Sequence, residues 1–134
     1  MQRKIASFLR SQTIFTLATL SADEPYCATC FYVYDDEAIA LVFASDPDTR
    51  HMREAISHPR CAGSVYLCTS DVAKIQGVQL LGEVREADER QRQLYFDAFP
   101  MARAMRPKIW AFVIDWAKMT DNTLGFGHKI SWTR

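Results

Sequence analysis

A chain of 134 residues has the length of one domain, and its 49% apolar content, with 8 Phe, 5 Tyr and 3 Trp, excludes disorder as the main state. Sixteen basic and sixteen acidic side chains cancel to a formal charge of zero, so nothing in the balance points to nucleic acid or another polyanion. No apolar run reaches the roughly eighteen residues of a membrane span, and MQRKIASFLR leads into a Thr-rich segment without a cleavage site; a cytoplasmic protein is expected.

Taken in order, residues 2–11 predict a short amphipathic helix, with Ile5, Phe8 and Leu9 on one side and Arg3, Lys4 and Arg10 elsewhere. The period then changes to that of strands in TIFTLATL (13–20), YCATCFYVY (26–34) and EAIALVFA (37–44), separated by Ser-Ala-Asp-Glu-Pro and Asp-Asp turn signals. The last two are expected to form a hairpin. SDPDTRHMREAISHP (45–59) reads as a helix, with Asp46 as cap, Pro47 at the first helical position, Asp48 and Thr49 in the first turn and Pro59 as the stop. Met52, Ala55 and Ile56 form its packed face, while Arg50, Arg53 and Glu54 face solvent. RCAGSVYLC (60–68) and KIQGVQLLGEVREA (74–87) are strands. DERQRQLYFDAF (88–99) is a helix anchored by Leu94, Tyr95 and Phe99, and PMARAM is a short turn. KIWAFVIDWAK (108–118) is a strand, and GHKISWTR (127–134) closes the chain with a short one.

Six or seven strands with hairpin-length connections favour a mainly β fold, a single antiparallel barrel domain over residues 1–134 with peripheral helices, rather than a doubly wound sheet. Both faces of EAIALVFA and KIWAFVIDW are apolar. One fills the barrel, and with few helices available a second copy of the chain is the economical cover for the other.

The CATC segment has CxxC spacing, but it lies in a strand, where residues three apart point to opposite faces and cannot share one metal. The four cysteines are expected reduced and mostly buried, with Cys30 the one placed to line a ligand cavity. His51 and His58, without a third ligand, do not make a metal site. A helix start after a strand suits a phosphate, with the Ser45 and Thr49 hydroxyls and the Arg50 guanidinium around it. Asp46 and Asp48 oppose a dianion unless they turn outward. No GxGxxG or GxxxxGK loop is present.

The run LVFASDPDTRHMREAISHPR, followed by a strand and IQGVQLLGEV, resembles the core of the FMN-binding split barrels related to pyridoxamine phosphate oxidase. With FPMARAM and the ending MTDNTLGFGHKISW, the chain also resembles the small bacterial family UPF0306, typified by YhbP. The resemblance implies a homodimeric antiparallel split barrel holding FMN in clefts at the subunit interface. Ser45, Thr49 and Arg50 match positions that hold the flavin phosphate, and His51 matches a position that is commonly basic, often Lys. Gln76 and Gly77 fall where a neighbouring strand approaches the cofactor, and Thr29 and Cys30 lie on a strand similar to the one beside the isoalloxazine ring. Phe31 or Trp110 would close an apolar wall, and the Asp121–Gly127 turn either locks the last strand or walls the cleft. No residue pattern names a general acid or a substrate clamp. Three classes stay open: a flavin-dependent oxidoreductase, a non-catalytic flavin- or haem-binding protein, and a structural dimer without a cofactor.

Overall fold

The computed structural model describes residues 1–134. Helix α1 (Arg3–Ser11) buries Ile5, Ala6, Phe8 and Leu9, the stripe that its 3.6-residue period sets out. Strands β1 (Ile14–Ser21) and β2 (Glu24–Asp35) form a tight hairpin, running in register from Ile14 opposite Phe31 to Ser21 opposite Glu24. Strand β3 (Ala40–Ala44) pairs with β2 as expected but begins later than residue 37. The Asp35 carboxylate accepts the backbone N–H groups of Glu37 and Ala38, and Ile39 takes a positive φ of 54°, so this stretch is a turn.

Helix α2 (Arg50–Ser57) also starts later than the sequence suggests. Asp46 does not cap it: its Oδ1 accepts the N–H of Asp48 at 2.8 Å, closing a turn around Pro47, and Thr49 caps the helix by accepting the Met52 N–H. Strands β4 (Arg60–Tyr66) and β5 (Gln76–Glu86) follow. Helix α3 (Glu89–Ala98) then opens on a capping box between Asp88 and Gln91, and a 3-10 turn spans Pro100–Met105. Strand β6 (Ile109–Asp121) and the short β7 (Lys129–Thr133) complete the chain.

All pairings are antiparallel, in the order β3-β2-β1-β4-β5-β6-β7, and a further β3–β6 pairing closes the barrel. Strand β6 is the seam: β5 lies along one edge, while β3 pairs with residues 109–113 and β7 with residues 116–120. At Leu81/Gly82 the β5–β6 register shifts, and a Cβ on Gly82 would stand 2.1 Å from the Val113 carbonyl oxygen. Only glycine fits there. The barrel interior is aromatic, with Phe15 edge-on to Tyr32 and Phe43, and the Tyr32 hydroxyl donates to the Leu9 carbonyl, fastening α1 over one end.

Two expectations change. The second apolar face of β3 and β6 is covered by α3, whose Tyr95 and Phe96 pack on Val42 and Ile109, so a second copy is not needed there. Five exposed apolar side chains share the outer face of β1, β2, β4 and β5, namely Ile14, Leu20, Phe31, Tyr66 and Leu81, while others, among them Ile56, Met101, Met105 and Phe126, are scattered over helices and turns. Of the cysteines only Cys30 and Cys61 are buried; Cys27 and Cys68 are exposed, and Cys27 and Cys30 point to opposite faces of β2. No helix is long and apolar enough to cross a membrane.

Candidate functional site at the start of helix α2

Ser45 follows β3, and its backbone is fixed on both sides: its N–H donates to the Lys108 carbonyl, and its own carbonyl accepts the Trp110 indole N–H at 2.9 Å. Six residues on, the His51 imidazole returns to it, with Nε2 2.7 Å from Ser45 Oγ and 3.4 Å from Thr49 Oγ1. Thr49 Oγ1 donates to the Asp46 carbonyl, so an imidazole protonated on Nε2 points its N–H at these oxygens and leaves the Ser45 proton for another acceptor. The backbone N–H groups of Arg50 and His51, first and second in the helix, have no acceptor within the chain. Two hydroxyls, an imidazole and two open N–H groups therefore meet at the positive end of a helix dipole. His51 is half-buried, and burial lowers its pKa more than the charge of Glu54 raises it, so the ring is neutral near pH 7.

Arg50 lies on the other side of the same turn. Its Nε donates to Glu54 Oε1 at 2.9 Å, its Nη2 to Glu24 Oε1 at 2.9 Å, and the guanidinium lies 4.1 Å from the centre of the Tyr26 ring. Glu54 is buried, contrary to the solvated role expected of it, because buried Thr19 donates to its Oε2 at 2.6 Å. The Thr19 hydrogen bond first, and then that of Arg50, hold the Glu54 carboxyl below the usual carboxylate range. Sequence reasoning missed Thr19, Glu24 and Tyr26. The Arg50–Glu54 spacing of four was visible, but the hairpin residues reach Arg50 only through the folded register.

The remaining expected residues divide between places. Thr29 is exposed on the outer face of β2, opposite Thr16, which in turn pairs with Ser64. Gly77 pairs with Tyr66 on the same face. Cys30 points into the core, where burial pushes its thiol up to about 11, and it is a poor nucleophile at neutral pH. Gln76 is at the opposite end of β5 from α2, which packs near Val84, about 26 Å away along the strand. There its side chain donates to buried Asp121, which is also paired with Lys4 at 2.8 Å. Asn122 Oδ1 accepts the N–H of Gly127, so the Asp121–Gly127 turn is locked by its own side chains, with Phe126 left exposed. Phe31 is exposed on the outer face, whereas Trp110 is buried beneath Ser45.

The profile of the pyridoxamine 5'-phosphate oxidase family matches residues 1–121, and the fold places the chain in that FMN-binding split-barrel class. A UPF0306 protein of Photorhabdus laumondii is 39% identical over 134 residues, covering 97% of this chain and 94% of the relative. Another from Klebsiella pneumoniae is 40% identical over 134 residues, covering 97% and 91%. The chain thus belongs to the UPF0306 (YhbP) family, within the pyridoxamine phosphate oxidase-like superfamily. Among solved structures, a heme binding protein from Mycobacterium smegmatis superposes with a TM-score of 0.79 at 20% identity, over 99% of this chain and 59% of that one. A FAD-binding protein from Mesorhizobium loti gives 0.74 at 16% identity, over 87% and 89%. At these identities the likeness is one of fold.

Proposed function

We propose that the chain is an FMN-binding flavoprotein that works as a homodimer, with oxidoreductase activity toward a small molecule. The observation that carries this reading is the open donor set at the start of α2. Phosphate oxygens are acceptors only, and the Ser45 hydroxyl, whose oxygen His51 Nε2–H holds, and the free N–H groups of Arg50 and His51 supply donors of the required kind. Arg50 adds charge, and Thr29 on the outer face borders the ring, with Cys30 behind that surface; Gly77 and Gln76, at the far end of β5 from α2, lie outside this cleft. Bound FMN supplies hydride and single-electron chemistry, and the chain positions it and keeps water away. The exposed apolar set Ile14, Leu20, Phe31, Tyr66 and Leu81 supports a second copy against the same sheet face, where it would cover the ring.

The test is purification without added flavin followed by FMN titration of wild type and Arg50→Ala, with the mass in solution measured on the same samples. Wild type is expected to be yellow or to take up FMN, Arg50→Ala to bind more weakly, and Leu81→Glu to lose both dimer and FMN. A colourless wild type that takes up no FMN rules the reading out. The second reading, a haem-binding protein, draws on the likeness to the M. smegmatis protein, and a Soret band would mark it.

A further inference from the structure

The charges around Arg50 do not suit a dianion as they stand. Glu24, Glu54, Asp46 and Asp48 share this corner with Arg50 and Arg53, a formal surplus of two negative charges. His51 does not offset it near pH 7. For a phosphate to take the Arg50 Nε or Nη2 donors, which carboxylates already hold, one carboxylate must leave, and the four are not equally free to do so. Glu54 is fixed by buried Thr19 and by its place one turn along the same helix. Asp46 and Asp48 belong to the turn that precedes the helix and do not touch the guanidinium. Glu24 is the first residue of β2, 73% exposed, and its Arg50 contact is its single ion pair. Exposed ion pairs of this type are weak, and a phosphate with two charges competes well against one carboxylate for a guanidinium edge.

We propose that Glu24 is a displaceable stand-in for the ligand phosphate: it occupies the Arg50 Nη2 edge in the free protein and gives it up when a phosphorylated ligand binds. This rests on the phosphate reading of the α2 start. Glu54 keeps Nε throughout, and the Tyr26 ring keeps the guanidinium plane in place, so the exchange needs movement of one exposed side chain at a hairpin tip. The arrangement discriminates by charge. A ligand without a phosphate leaves the Glu24–Arg50 contact intact, and a phosphorylated one binds at the expense of breaking it.

The test compares wild type, Glu24→Gln and, as a control for net charge, Glu89→Gln, in which an exposed carboxylate on α3 is neutralised. Each protein, stripped of flavin, is titrated with FMN and separately with riboflavin at one ionic strength, following quenching of flavin fluorescence. Glu24→Gln is expected to tighten FMN about three- to tenfold, with riboflavin unchanged and Glu89→Gln like wild type. If wild type binds FMN and Glu24→Gln binds it no more tightly, or tightens riboflavin equally, the displacement is wrong while the phosphate site stands. If none of the three proteins takes up FMN, both fall together.

Discussion

Two polar clusters lie near opposite ends of β5, and they are built on opposite terms. At the β5 start, Asp121 is fully buried and supplied from all sides: Lys4 of α1 at 2.8 Å, the Thr123 hydroxyl and N–H at 2.6 and 2.9 Å, and Gln76 at 3.3 Å. At the other end, the start of α2 has more carboxylates than guanidiniums and two backbone N–H groups with nothing to donate to. The first cluster is held by groups of the chain alone, with Lys4 the one partner of Asp121 Oδ2, whereas the second leaves backbone donors open at the surface. Saturated polar clusters hold a fold together, and unsaturated ones near the surface are where a ligand is to be sought.

The largest effect that tests this contrast is Asp121→Ala. It removes the acceptor shared by Gln76, Thr123 and Lys4, and should cost about 2–4 kcal/mol in urea unfolding. Burial alone would raise the Asp121 pKa, but Lys4, Thr123 and Gln76 together hold it well below the ordinary carboxylate value. A depressed carboxyl contributes stability that is present above its unfolded value near 4 and is lost as pH falls through the folded one. The gap between wild type and Asp121→Ala should therefore stay constant from pH 7 to about pH 5 and shrink progressively below about pH 4. A gap that does not change with acid would mean that the charge of Asp121 contributes nothing. Thr19→Val comes next. It deprives Glu54 of one donor while Arg50 remains, so the urea midpoint should fall by clearly less than for Asp121→Ala.

How far the sequence reveals these places depends on how local their determinants are. The stripe of α1 and the alternation of β1 and β2 were legible because each is a single period. The alternation that buries Tyr32 and Tyr34 also buries Cys30, so its place inside the barrel was readable from parity. The start of α2 was not, because Asp46 and Thr49 are both good caps, and the choice falls to contacts that pin Ser45 from Lys108 and Trp110, more than sixty residues on. The meeting of Ser45, Thr49 and His51 followed from short spacing. Glu24 and Thr19 reach the site through hairpin register and barrel closure, which no local pattern encodes. The cover of β3 and β6 was misassigned for a related reason: two apolar faces call for one, but only the folded chain shows that α3 supplies it.

The smallest expected effect concerns binding and leaves stability untouched. Burial keeps His51 neutral in the free protein, and its Nε2 lies among the oxygens that would surround the phosphate. An incoming dianion favours the imidazolium, so binding should take up a proton, and FMN affinity should rise as pH falls from about 8 to about 6, by at most about tenfold per unit. The phosphate itself titrates near the low end of this range and weakens as an anion there, so wild type alone does not isolate the ring. His51→Lys does, because it carries the same ligand titration with a side chain that stays charged. It should bind FMN more tightly than wild type at pH 8, and the two affinities should converge as the imidazole gains its proton. Parallel profiles would place the phosphate away from His51 and shift the burden of recognition to the open N–H groups and Arg50.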